Sequence, residues 1–247
     1  MSFKWLPNAL TIMRCFGAFV VGWVILRYGA AVVDSEALFD ASLQNALDEL
    51  LALHGDGAVP PFEATENLLA QMQALNWIVI TPFILFVIVA ASDFLDGYFA
   101  RKLNAVSAFG AFLDPVADKL LVAVSLIAVA YVVDWYWIIL LPAIVIIARD
   151  SYVTLLRLRP NVKLPVSKLA KYKTALEMAG IGGVLLAWAV PGFIGLMAHP
   201  DSAENYIMDA TLPIEILSIA SLALIYLAAA LSAYTGWLYV RSAMAKA

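Results

Sequence analysis

The 247-residue chain predicts an all-α integral membrane protein of six transmembrane helices, and three observations carry that prediction. Hydrophobic residues make up 64% and charged residues only 14%, whereas soluble domains are nearer half apolar and a quarter charged. Six stretches, 9–29, 75–97, 107–133, 135–157, 173–198 and 212–240, each supply the roughly 20 mostly apolar residues a spanning helix needs. The connections between them alternate in charge, as loops on opposite sides of a membrane do.

The first stretch begins close to Met1 and has no small-residue cleavage site, so it reads as a resident helix and not a removed signal. Its one cation on the far side, Arg27, can snorkel to the interface. The connection 30–74 is acidic, with Asp34, Glu36, Asp40, Asp48, Glu49, Asp56, Glu63 and Glu66. Within it Leu38, Leu43, Leu47, Leu50 and Leu51 recur at helical spacing and predict an amphipathic helix lying on the outer surface. Gly55-Asp56-Gly57 and Pro60-Pro61 end that helix. The nearly continuous apolar run 107–157 divides at Asp134, where Tyr131, Trp135, Tyr136 and Trp137 form an interfacial aromatic cluster.

Basic residues test the topology. Lys4 and Arg14 flank the first stretch, Arg101, Lys102 and Lys119 the second and third. Arg149, Arg157, Arg159, Lys163, Lys168, Lys171 and Lys173 surround the fourth and fifth, and Arg241 and Lys246 end the chain. Neither Tyr28 to Ala100 nor Thr174 to Val240 contains a lysine or arginine. The positive-inside rule then places both termini in the cytoplasm. The chain reads as one membrane domain, 1–247, with no internal repeat. Cys15 is the single cysteine, so no internal disulfide is possible. Gly180, Gly182 and Gly183 suit close helix packing. Glu177 reads as the partner of a nearby cation. Tyr234, Trp237 and Tyr239 read as an interfacial belt, and His54 and His199 as outer-side surface residues.

Against this apolar background stand four aspartates: Asp93 and Asp96 three apart, Asp114 and Asp118 four apart. Each pair shares one helix face. Carboxylates near a bilayer core are rare unless they line a functional cavity, and four together repel unless a cation lies between them. Oxygen donors with no neighbouring histidine or cysteine suit magnesium or manganese, and not zinc. Gly97 and Gly110 allow close approach of a ligand, and Arg101 offers a cation suited to phosphate. Two metal ions held by carboxylates can clamp a diphosphate, and a carboxylate can take the proton of an attacking hydroxyl. The parts fit phosphoryl or phosphodiester transfer at the membrane surface. An ion-coupled transporter is the reading from another class, but the acids cluster toward one surface and no repeated halves are visible.

The pattern Asp93-x-x-Asp96-Gly97-x-x-Ala100-Arg101, then Gly110, Asp114 and Asp118, resembles the signature of the CDP-alcohol phosphatidyltransferases at every defined position. The resemblance implies transfer of a phosphatidyl group from CDP-diacylglycerol to an alcohol with loss of CMP. It implies Asp93, Asp96, Asp114 and Asp118 as ligands of two magnesium or manganese ions, with Asp118 also the general base. Gly97, Ala100, Arg101 and Gly110 would line the CDP-lipid pocket. The opening Pro7-Asn8-x-x-Thr11-x-x-Arg14 resembles one shared by several branches, which adds Asn8 and Thr11 to that pocket.

Phe109 to Lys119, Ile147-Ala148-Arg149-Asp150, Val166-Ser167 and Lys171-Tyr-Lys173-Thr174 look most like the phosphatidylglycerophosphate synthase branch. Ala170, Asp150 and Glu177 depart from it, standing where glycine, glutamate and glutamine are usual. The branch implies sn-glycerol 3-phosphate as acceptor. An acceptor carrying a phosphate needs extra cations, and Arg14, Arg149, Lys171 and Lys173 are the candidates. Phosphatidylglycerol, as in a cardiolipin synthase, serine and inositol phosphate remain alternative acceptors. The implied setting is a bacterial inner membrane, with a cytoplasm-facing site and a homodimer. Nucleic acid is not among the expected partners.

Overall fold

The computed structural model describes residues 6–52, 74–92, 108–157, 168–197 and 203–244, with side chains placed for most of the interior of each segment. The described residues form six helices and no strand: α1 (Leu6–Ala52), α2 (described over Ala74–Ser92), α3 (Ala108–Val132), α4 (Trp137–Arg157), α5 (Lys168–Met197) and α6 (Ala203–Met244). Five contain stretches long and apolar enough to cross a membrane: Thr11–Ser35, Ala74–Ser92, Trp137–Leu156, Tyr172–Met197 and Thr211–Arg241. α3 is likewise apolar over Lys119–Val132, the part of it with continuously described side chains. This is an integral membrane all-α protein. Its exterior agrees: Phe16, Phe19, Trp23, Ile88, Ile144, Ile219 and Leu227 are exposed, while Lys173, Glu177, Ser125 and Ser232 are buried. A water-soluble fold reverses that arrangement.

α1 differs from the expectation of a separate surface helix after residue 30. It runs unbroken for 47 residues, so the segment carrying Leu38 to Leu51 continues the first span and does not start a new element. The cause is local. After Gly29 the chain to Ala52 has no proline or glycine and is rich in alanine and leucine, which favour helix. The Gly-Asp-Gly and Pro-Pro breaks lie outside the described residues.

The division at Asp134 is present. The α3 carbonyl of Ala130 accepts the Trp135 N–H at 2.7 Å, and that of Tyr131 accepts the Asp134 N–H at 3.1 Å. These are the two bonds of a Schellman stop, which needs a left-handed residue. Here Asp134 (φ 50°) takes that role, and Trp135 (φ 56°) follows it. Both non-glycine residues carry some strain, and Tyr131 and Trp135 meet edge to face at 5.9 Å across the turn.

The core joins Ala18, Val21 and Ile25 of α1, Phe86 of α2, Leu121, Leu126 and Val129 of α3, Ile146 of α4, Ile181 and Leu185 of α5, and Ile225 of α6. The most extensive described helix pairs are α5 with α6 and α1 with α3, while α4 joins α6 and α3. Small residues make the α5–α6 approach possible, as the glycine pattern predicts. A Cβ at Gly180 would stand 2.6 Å from Ile225 Cγ1, 3.1 Å from the Ile225 backbone nitrogen and 3.2 Å from the Ser221 carbonyl oxygen. At Gly182 the nearest atom is the Phe86 ring edge, at 3.3 Å.

Gly180→Ala should therefore lower stability by about 1–3 kcal/mol, because backbone stands in the way. Gly182→Ala should be close to neutral, since about 0.5–1 kcal/mol of helix propensity offsets a small ring shift. Thermal unfolding of the purified variants in detergent checks the contrast, and equal losses at both positions would contradict it.

Candidate active site

On α1 the buried residues Thr11, Arg14, Ala18, Val21 and Ile25 recur every three or four positions, so this face turns into the bundle. Thr11 and Arg14, each 2% exposed, lie on it. Arg14 is thus enclosed by protein and does not snorkel, which in a membrane bundle marks a functional candidate. One turn further on, Gly17 meets Val89, near the end of described α2. Asn8 lies in the first turn of α1, outside the residues with described side chains.

The aspartate signature is divided. Asp93, Asp96, Gly97, Ala100 and Arg101 lie outside the described residues. Gly110, Asp114 and Asp118 lie on α3, whose helical backbone puts positions 114 and 118 one turn apart on one face. The donor chemistry fits a hard divalent cation, being carboxylate oxygen alone. Among residues with described side chains, no group of three metal-binding residues occurs; all four aspartates fall outside that set.

Immediately after Asp118 begins a charged cluster that links four helices. The Asp150 carboxylate on α4, in a residue 8% exposed, accepts hydrogen bonds through Oδ1 from Arg149 Nη1 at 2.8 Å and from Lys173 Nζ of α5. Lys119 Nζ of α3 donates to the Asp150 carbonyl oxygen at 3.2 Å and stands 3.8 Å from Oδ2. Thr154 Oγ1 donates to the same carbonyl at 2.7 Å. Lys173 also pairs with Glu177 Oε1 at 2.9 Å, one turn along α5.

Arg149 reaches the other way, to α6. Its Nη2 donates to Thr235 Oγ1 at 3.0 Å, and its guanidinium carbon lies 5.6 Å from the Tyr239 ring centroid, within cation–π range. The arginine stem crosses Gly236, where a Cβ would come within 3.1 Å of Arg149 Cγ. The buried Arg149 Nε has no hydrogen-bond partner among the described residues. Lys119 and Asp150 form the polar end of an otherwise mostly apolar cavity of about 320 Å³ between α3 and α4.

Of the four cations expected near an acceptor phosphate, the structure brings together Arg149 and Lys173. Lys173 is enclosed by two carboxylates and 1% exposed. Arg14 is on α1, and the Lys171 side chain is outside those described. Glu177 is the cation partner its position suggested. Tyr239 differs from the expected interfacial belt: it is 8% exposed beneath Arg149, whereas Tyr234 and Trp237 do face outward. Sequence reasoning did not single out Asp150, Thr235 or the Lys119 tether as site residues. A signal for part of it was available in Arg149-Asp150 and the Lys173/Glu177 spacing, charges embedded in apolar runs.

The family model for CDP-alcohol phosphatidyltransferase matches residues 67–217, more than half of the chain. The chain belongs to this family of transferases. The matched span runs from before α2 into α6 and so includes all four signature aspartates and the Asp150 cluster up to Glu177. Curated relatives named CDP-diacylglycerol–glycerol-3-phosphate 3-phosphatidyltransferase are similar to it. The one from Cereibacter sphaeroides is 34% identical over 185 residues, 68% of this chain and 82% of the relative. That from Haemophilus influenzae is 38% identical over 126 residues, 48% of this chain and 66% of the relative. That from Yersinia enterocolitica is 33% identical over 172 residues, 68% and 80% of the two chains.

Lys173→Met would leave Glu177 buried without its cation, and breaking such a pair costs about 3–5 kcal/mol. The double variant Lys173→Met/Glu177→Leu should recover most of that loss, because an apolar pair of similar size needs no compensation. Unfolding midpoints in detergent decide it. A double variant as unstable as the single one would mean that the ion pair is not the source of the effect.

Proposed function

We propose that this chain transfers the phosphatidyl group of CDP-diacylglycerol to sn-glycerol 3-phosphate, giving phosphatidylglycerophosphate and CMP. The observation that carries the reading is the likeness to the relatives named for this reaction, which extends over two thirds of this chain and four fifths of two of those proteins. The described cluster supports a phosphorylated acceptor. Three cations, Lys119, Arg149 and Lys173, meet the Asp150 and Glu177 carboxylates at one level of the bundle, beside the signature helix.

In this reading the acceptor hydroxyl attacks the lipid-linked phosphorus, a new P–O bond forms, and the P–O bond to CMP breaks. Asp118 takes the hydroxyl proton. Asp93, Asp96, Asp114 and Asp118 would hold two divalent ions, magnesium or manganese, whose chemistry is to neutralise the diphosphate. Asn8, Thr11, Gly97, Ala100, Arg101 and Gly110 would line the CDP-lipid pocket. Arg14, Arg149 and Lys171 would attract the acceptor phosphate, with Arg149 presenting its unpartnered Nε–H. Arginine's planar fork suits that contact. Six spans, both termini in the cytoplasm, a site on the cytoplasmic side of a bacterial inner membrane and a homodimeric assembly complete the proposal. The alternating basic connections support this orientation.

The test is CMP release from CDP-diacylglycerol by the purified protein with magnesium, offering glycerol 3-phosphate, phosphatidylglycerol, serine and inositol phosphate separately. Release should require glycerol 3-phosphate, stop on chelation, and return with magnesium or manganese. Asp118→Asn should lose about 100-fold or more of the turnover, the scale of general base catalysis, while still binding the CDP-lipid. Release driven by a different acceptor would overturn the acceptor assignment, and full activity in Asp118→Asn its role as base.

A further inference from the structure

We propose that Asp150 is a positioning residue for the acceptor step: it fixes the Arg149 guanidinium so that the acceptor's phosphate meets a pre-aimed donor, and Lys173 and Glu177 serve to hold Asp150. The proposal rests on the reading above, in which glycerol 3-phosphate is the acceptor.

Two of the three guanidinium nitrogens of Arg149 are tied in different directions. Nη1 donates to Asp150 on its own helix and Nη2 to Thr235 on α6. The Tyr239 ring lies against one face of the group, and Gly236 gives the stem room to cross α6. An arginine held at two corners and one face cannot swing. These two bonds use two of its five N–H donors, and among those left is the Nε–H, buried and without a partner among the described residues. Such a donor costs free energy until an acceptor arrives. Phosphate oxygens are suited to it, and a fixed fork loses little freedom on binding them.

Lys173 has the opposite character. Its ammonium lies between Asp150 and Glu177, so its charge is taken up by two carboxylates of the protein. Its effect on the acceptor passes through the Asp150 carboxylate that it anchors from α5. Lys119 holds the same residue from α3 by the backbone carbonyl.

Positioning and simple charge predict opposite outcomes for one substitution. Asp150→Asn removes a negative charge, so a purely electrostatic role predicts tighter capture of the anionic acceptor and a lower KM. Release of Arg149 predicts a higher one. We expect the KM for glycerol 3-phosphate to rise about tenfold, the scale of one lost directed contact, with the KM for CDP-diacylglycerol unchanged within error. Asp150→Glu keeps the charge and should restore most of the acceptor affinity. Thr235→Val, which removes the second tether, should raise the same KM by a smaller factor and provides the test if Asp150→Asn does not fold.

The proposal is overturned if the acceptor KM falls or stays constant. It is also overturned if both substrates' KM values rise together, or if only the active fraction drops. The wild-type acceptor assay separates the two levels. If glycerol 3-phosphate does not drive CMP release, the functional reading fails. If it does and the Asp150→Asn and Thr235→Val acceptor KM values match wild type, only the positioning role fails.

Discussion

A charge inside a membrane-spanning bundle persists only where an opposite charge meets it, because a lone desolvated ion costs several kcal/mol. Asp150 meets that condition through three helices. It takes Arg149 from α4, Lys173 from α5 and Lys119 from α3, and Arg149 extends the connection to Thr235 of α6. Apolar contacts between spanning helices discriminate poorly among rotations, since lipid tails and leucine side chains are similar surroundings. Turning α5 by one residue would carry Lys173 off the Asp150 carboxylate, while its pair with Glu177 turns with the helix. The rotational setting of α3, α4 and α5 is therefore specified by ion pairing at one level of the bundle, with the Arg149–Thr235 hydrogen bond adding α6 and packing filling in around it.

That level works only because the backbones come close. Gly236 lets α6 lie against the Arg149 stem, and further along the bundle Gly183 brings α5 to where even a Cβ would stand 2.2 Å from the Ser221 hydroxyl. Closeness and charge support each other. Without small residues Arg149 could not reach Thr235, and without the ion pairs the apolar helices would have no preferred register. Aromatic contacts act at the periphery, where Tyr28 of α1 stacks on Trp188 of α5 at 4.9 Å.

How much of this could be read in advance follows from the range of each interaction. The helices were legible because hydropathy is a local property, and the stop after α3 because Asp134 sits among four aromatics. The continuation of α1 to Ala52 was not, since the change from apolar to acidic composition after residue 30 reads as a membrane exit, and exit need not end a helix. The partner of Glu177 was legible in kind, because a carboxylate inside an apolar run requires a cation. Its identity lay one turn away in Lys173. Tyr239 was misread because an aromatic near a helix end looks the same whether it faces lipid or an arginine. Thr235 lies 86 residues from Arg149, and no local pattern encodes that meeting. The signature aspartates are the reverse case: their spacing is fully legible, while their side-chain arrangement lies outside the described residues.

Helix α3 shows how one element serves both the chemistry and the core. Successive residues on a helix are turned by about 100°, so position 119 lies on a different face from positions 114 and 118. Lys119 fastens its face to the Asp150 carbonyl, and in doing so fixes the direction in which the 114/118 face is turned. Beyond it Leu121, Val122, Leu126 and Val129 are buried in the bundle. The first turns of α3 can therefore carry acidic residues without having to hold the helix in place, because Lys119 and the core beyond it do so. A helix apolar along its whole length would have no polar turn to fasten to Asp150.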